Sequence, residues 1–313
     1  MNLTRSKKKD LLYVAVAAFF FLTACVLQTV DDYISDWSVK KTIALLTQYI
    51  FFGLLAYWTA SVISRISDKS ICSGIIVAIA LMGVILFVRL LKYHVFYEET
   101  ATRYLWYSYY IPQCIAPVVL LLTILGMGRQ EGRPLSKGWY MLFLPAAMLI
   151  ILVFTNDLHE QVFSFAEGLE YSNKIYKWEW GYYLILSWMV GLYLSIGVLL
   201  YVKCRISWCR KKAWIPLVLF VTCFILCVLR EVFDPSFIRM PEAVVFSVVV
   251  VFESLIRIGF IPSNVNHEEL FYVADVSAGI ADKDLNVVLT SKNAPEITRE
   301  QAMKAANGSK TEL

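Results

Sequence analysis

ICSGIIVAIALMGVILFVRLL, residues Ile71–Leu91, decides the fold of this chain. A hydrocarbon core of about 30 Å needs roughly 20 helical residues. Lipid offers no partner to an unpaired backbone N–H or C=O, so such a run must close its hydrogen bonds within itself as a helix. Seven more runs read the same way: Leu11–Val30, Ile43–Ile63, Leu105–Gly128, Trp139–Thr155, Gly181–Val202, Trp214–Leu229 and Ala243–Ile258. The expected fold is an all-α polytopic membrane protein. Residues 1–262 form a bundle of about eight transmembrane helices, and residues 263–313 a short cytoplasmic α/β tail.

Composition agrees. Hydrophobic residues make up 58% of the chain, charged residues 17%, and mean hydropathy is +0.61, too little charge for a soluble domain. The net charge of +4 is no signal for nucleic acid, because its placement follows the membrane. Arg5, Lys7, Lys8 and Lys9 precede the first run, Arg65 and Lys69 follow the second, and Arg129, Arg133 and Lys137 follow the fourth. Lys203, Arg205, Arg210, Lys211 and Lys212 follow the sixth. The alternate loops are acidic, with Asp31, Asp32, Asp36, Glu98, Glu99, Asp157, Glu160, Glu167, Glu170, Glu179 and Asp234. The positive-inside rule then predicts cytoplasmic N- and C-termini in a multi-pass protein of the cell membrane. The seven cysteines lie mostly in or beside the apolar runs, which predicts no structural disulfide. Three histidines and the five-residue spacing of Cys204 and Cys209 predict no metal centre and no cofactor.

Function must then come from loops and from polar groups inside the runs. Asn156–Trp180 is the longest outside segment and suits a partly structured cap, although Trp178, Trp180, Tyr182 and Tyr183 equally suit an interfacial belt. Thr155-Asn156-Asp157-Leu158-His159 can hold a polar ligand or cap neighbouring helices. Trp106-Tyr107-Ser108-Tyr109-Tyr110-Ile111-Pro112 opens the fourth run, and Pro112 and Pro117 should kink it. The kink can open an aromatic pocket, or the rings can form a belt. Glu253 and Arg257 have the i,i+4 spacing of an intrahelical pair. Arg230 can pair with Glu242 across a short loop or face a ligand with its carboxylate-matching fork. Gly259 and Pro262 end the last run. In the tail, Glu268–Val276 permits a helical turn, while Ala278–Ala281 and Leu285–Thr290 flank a predicted hairpin. No phosphate-binding glycine loop, HExxH or GxSxG is present, and His267 lacks the residues of a phosphoacceptor box. No catalytic residue is assigned.

TNDLH at Thr155–His159, WYSYYIP at Trp106–Pro112, GYY at Gly181–Tyr183 and IGFIPSN at Ile258–Asn264 resemble the membrane sensor region of bacterial histidine kinases with a seven-helix N-terminal domain. SAGIADKDLNVVLTSKNA at Ser277–Ala294 resembles the opening of a PAS-like segment in those kinases. The chain departs from that pattern in its eight runs, and in holding neither dimerisation helices nor an ATP-binding domain. The resemblance implies a membrane sensory receptor of a two-component system, acting in a bilayer and pairing through its helices or tail. Kinase activity would lie outside these residues. Asn156, Asp157, His159, Trp106, Tyr109 and Arg230 are the candidate contacts for an unknown extracytoplasmic ligand. Glu242, Glu253, Arg257 and Pro262 are the candidate relay to the tail. A small-solute permease is the alternative, and it requires a polar path through the bilayer midplane. An intramembrane enzyme would need a nucleophile or carboxylate cluster facing a cavity.

Overall fold

A computed structural model of the chain describes residues 5–66, 68–127, 135–165, 176–204, 210–233, 239–261, 263, 279–281 and 287–290, with backbone alone at 5–11, 32, 228, 230–233, 279–281 and 287–290. Long helices run back and forth: α1 (Arg5–Tyr33), α2 (Trp37–Arg65), α3 (Lys69–His94), α4 (Glu99–Ser108), α5 (Tyr110–Gly126), α6 (Phe143–Phe154), α8 (Trp180–Lys203), α9 (Trp214–Phe233) and α10 (Met240–Ile258). A 3-10 turn, Lys137–Leu142, leads into α6, and one turn, α7 (Asn156–His159), follows it. Strands β1 (Phe163–Phe165) and β2 (Tyr176–Trp178) pair antiparallel, as do β3 (Gly279–Ala281) and β4 (Val287–Thr290). The second hairpin agrees with the reading of the tail. The expected turn at Glu268–Val276 and the role given to Pro262 lie outside the described residues.

Among the described residues, six helical segments are long and apolar enough to cross a membrane. They are Leu12–Asp31, Trp37–Arg65, Lys69–His94, Glu99–Gly126, Lys137–Phe154 and Trp180–Lys203. The expected seventh and eighth crossings coincide with α9 and α10. Among the described residues α9 has an apolar stretch over Trp214–Cys227, and α10 carries Glu242, Glu253 and Arg257 within its 19 residues.

Local chemistry sets the helix ends. Asp36 accepts from the N–H groups of Ser38 and Val39 at 2.8 and 3.2 Å and so starts α2; Asp68 does the same for Ser70 and Ile71 at the head of α3. Pro112 has no N–H to give the Ser108 carbonyl, and the ladder breaks at Tyr109, between α4 and α5. The break falls where a kink was expected, and the segment begins at Glu99 rather than near Leu105. Pro117 sits inside α5, which continues through it. Lys203 donates its ammonium to the carbonyls of Ile124, Leu125 and Met127 at 2.7–2.8 Å, closing the open end of α5 with a cation. Gly259, at φ 91°, takes the left-handed position that terminates α10.

Helix α3 is central, packing against α2, α4, α5 and α10, while α5 also holds α6 and α8. Gly74 lets α3 approach α5 closely, because a Cβ there would collide with the Thr123 hydroxyl. Gly74→Ala should cost about 1–3 kcal/mol through overpacking. A thermal unfolding scan in detergent checks this, and the double variant Gly74→Ala/Thr123→Gly, which also removes the Thr123 Cβ at 2.9 Å, should recover part of the loss. The bundle has two ends, one carrying Asn156 and the start of α10, the other carrying Glu253 and the end of α10.

Candidate functional site

Three polar constellations stand out in an otherwise apolar bundle. The first surrounds Asn156, whose side chain is fully buried. Its Oδ1 accepts from the N–H groups of Val162 and Phe163 at 2.9 and 3.0 Å. Its Nδ2 donates to the Phe163 carbonyl at 2.9 Å and to the Tyr107 hydroxyl at 3.4 Å. The amide's capacity is thus filled by protein groups. Asp157 accepts from the Tyr107 hydroxyl at 2.7 Å and pairs with Arg103 of α4 at 3.1 Å. His159 accepts from the Gln161 N–H through Nδ1 at 3.0 Å, which leaves Nε2 to donate to Thr155 Oγ1 at 3.2 Å. Phe163 then seats its ring among Trp106, Tyr107, Tyr110, Tyr176 and Tyr182, with centroids 4.5–6.4 Å apart.

TNDLH in this arrangement anchors the β1–β2 hairpin on α4 and α8. Gly181 closes the fit, since a Cβ there would stand 2.8 Å from the Gln161 carbonyl oxygen. Asn156→Ala would bury two N–H groups without partners, at about 2 kcal/mol in total. Hydrogen exchange at Phe163–Phe165 and Tyr176–Trp178 should accelerate by more than tenfold in that variant, while amides in α3 keep their protection.

The second constellation lies at the same end, between α3, α2 and α10. Arg89 of α3 forms an ion pair with Glu242, whose side chain is fully buried. Arg89 also donates to Gln48 Oε1 at 3.0 Å, and Gln48 Nε2 donates to the Leu86 carbonyl at 3.0 Å. Nearby, Arg239 pairs with the buried Asp31 at 3.2 Å. These links tie the start of α10 to α1, α2 and α3. Among the described residues Glu242 pairs with Arg89, and its expected pairing with the Arg230 side chain lies outside them.

The third constellation is at the Glu253 end. Both carboxylate oxygens of Glu253 meet the fork of Arg65 on α2, at 2.8 and 2.6 Å. Trp58 Nε1 donates to Oε2 at 3.0 Å, and Arg257 Nε donates to Oε1 at 2.6 Å. The intrahelical pair read from the sequence is present. Arg65 and Trp58 convert it into a clamp between helices.

A cleft of about 1700 Å³ connects the two ends. Its walls come from α3, the α4–α5 break, the β2 strand, α8, α9 and α10. Helix α8 leans on α5 and helix α9 on α10, and the space between these two pairs is the cleft. Tyr193 and Phe220 face each other across it with ring centroids 6.2 Å apart. Trp106 and Tyr109 are on its lining, whereas Asn156, Asp157 and His159 are not. Among the described residues, Arg89, Lys92 and Arg239 are the charged groups on that lining, all cationic and all at the Asn156 end.

Arg89, Lys92, Gln48 and Arg65 were not singled out as sites from the sequence. An arginine inside the run Ile71–Leu91 is the signal that would have found the second constellation, because an ionisable group within a membrane helix needs a partner. No protein-family profile, no curated protein and no solved structure matches this chain.

Proposed function

We propose that this chain is the membrane sensory receptor module of a two-component signalling histidine kinase, passing an extracytoplasmic signal to a cytoplasmic output domain. The observation that carries the reading is the double anchorage of α10. Its Glu242 joins the polar lock at the mouth of the cleft, and its Glu253 joins the clamp at the opposite end. The same helix then leads toward the β3–β4 hairpin. A stimulus at the mouth therefore has a mechanical route to the tail. In the proposed topology the Asn156 end is outside, both termini are cytoplasmic, and α9 and α10 complete eight crossings of the cell membrane. The module pairs with a second copy through its helices or tail.

A ligand moves such a helix only through unequal affinity for two arrangements. Trp106 and Tyr109 are the original candidate contacts that line the cleft, and Asn156, Asp157 and His159 support them by fixing the hairpin. The charged lining at one end and the long apolar remainder fit a receptor pocket better than the polar midplane path of a permease.

Membrane vesicles carrying the whole product of the gene, incubated with labelled ATP, test the proposal. Histidine phosphate whose level changes at least threefold in Glu253→Gln supports it. Absence of histidine phosphate, with solute flux in proteoliposomes, replaces it with the permease.

A further inference from the structure

We propose that the cleft between α8 and α9 binds an anionic two-chain phospholipid, its headgroup at the Asn156 end and its chains along the apolar walls. The inference rests on the sensory reading in that it names the ligand class at the same mouth. Its test reads binding alone, so a bound lipid without any signalling effect would sink the sensory reading and leave this one standing.

Four observations carry it. The first is charge. Arg89, Lys92 and Arg239 are the charged groups on the described lining, while the carboxylates that pair with the two arginines, Glu242 and Asp31, are absent from that lining. An incoming head therefore meets cations from α3 and from the start of α10. Arginine forks match the paired oxygens of a phosphate. The second is the Tyr109 hydroxyl. Tyr109 lines the cleft at 7% exposure, and its hydroxyl has no hydrogen-bond partner among the described residues. A buried hydroxyl left unpaired is unfavourable, and a phosphate oxygen would satisfy it.

The third is length. Tyr182 and Tyr201 mark the two ends of the α8 wall, and 19 residues at 1.5 Å each span about 28 Å, more than the roughly 15 Å that one leaflet's chains occupy, so the apolar wall can hold the full length of both chains. The fourth is size. About 1700 Å³ exceeds the usual range for small-molecule sites, roughly 300–1,000 Å³, and the wall past the mouth is built from residues such as Leu186, Val190, Leu217 and Val248. Charge at one end of a long apolar trough suits an anionic amphiphile and not a polar solute.

Gly197 provides a clean probe. It lies on the cleft lining, and a Cβ there would meet nothing within 4 Å, so Gly197→Phe places a ring that starts from open space in the trough. Gly191 is on the same helix, also with open space around its Cβ, and is not on the lining, so Gly191→Phe is the matched control.

The full chain is purified and exchanged into detergent with dioleoyl phosphatidylglycerol, dioleoyl phosphatidylcholine, oleate or inorganic phosphate, and retained molecules are counted by native mass spectrometry. Phosphatidylglycerol should be retained at least tenfold over phosphatidylcholine and over inorganic phosphate. Gly197→Phe should cut its retention tenfold or more, Tyr109→Phe about threefold, and Gly191→Phe should leave it unchanged. Equal retention of both phospholipids, stronger retention of oleate than of phosphatidylglycerol, or full binding by Gly197→Phe would each overturn the proposal. Helical circular dichroism on every variant separates loss of binding from loss of fold.

Discussion

Glu242→Ala should lower the stability of the bundle by about 3–5 kcal/mol, the largest effect of any single substitution discussed for this chain. The Glu242 side chain is fully buried and its partner Arg89 is 10% exposed. Removing the carboxylate strands a guanidinium in the low-dielectric space between α3 and α10, where Gln48 Oε1 is its remaining side-chain acceptor among the described residues. Replacing both members with apolar residues is a different experiment. Arg89→Met/Glu242→Leu removes the charges together, and most of the stability should return. The single variants and the double variant, compared by chemical denaturation in detergent, give the coupling between the sites directly. A coupling below about 1 kcal/mol would mean that the pair is not the lock described here.

Glu253→Ala should come next, at roughly 3 kcal/mol, since one carboxylate serves three charged or polar donors. Arg65, Trp58 and Arg257 all lose their acceptor at once. The loss should be local. Helix α10 should loosen at the Glu253 end first, so amides of Leu255–Ile258 should exchange faster while those near Val245 keep their protection. The conservative Glu253→Gln retains an acceptor for Trp58 but removes the charge, and should fall between wild type and Ala. Equal exchange along all of α10 in both variants would show that the clamp does not hold that end.

Much of the architecture was legible because a membrane imposes length and apolarity on each crossing. Ile71–Leu91 and its counterparts need no partner to be recognised, and Pro112 and Gly259 announce a break and an end by backbone chemistry alone. The hairpin at Gly279–Thr290 was visible for the same local reason. Pairings across the bundle were not. Arg65 looked like a cytoplasmic loop charge because it ends an apolar run, and only the packing of α2 beside α10 makes it the partner of Glu253. Glu242 had Arg230 near it in sequence, yet α3 brings Arg89 to it. TNDLH offered two readings, a polar ligand site or caps on neighbouring helices, and Asn156 turns its polarity inward to fix the hairpin. Helix α10 falls below the threshold of a clear crossing for a related reason. The charges that fasten it to its neighbours are the ones that lower its hydropathy.

Glu242 and Glu253 are eleven positions apart on α10. At 100° per residue, eleven steps return to within about 20° of the starting direction, three turns and roughly 16 Å further along. Both carboxylates therefore project from one side of the helix, like two teeth on a single key. A small rotation moves both out of register with their arginines, and a small slide does the same. A rigid-body movement of the helix disturbs both fastenings unless the segment between them bends, whereas loss of one carboxylate leaves the other seated. That segment, from Ala243 to Phe252, contains no glycine or proline at which to bend. Two pairings set three turns apart on one side thus make α10 a rigid lever, whose turning loads the Asn156 end and the Glu253 end together.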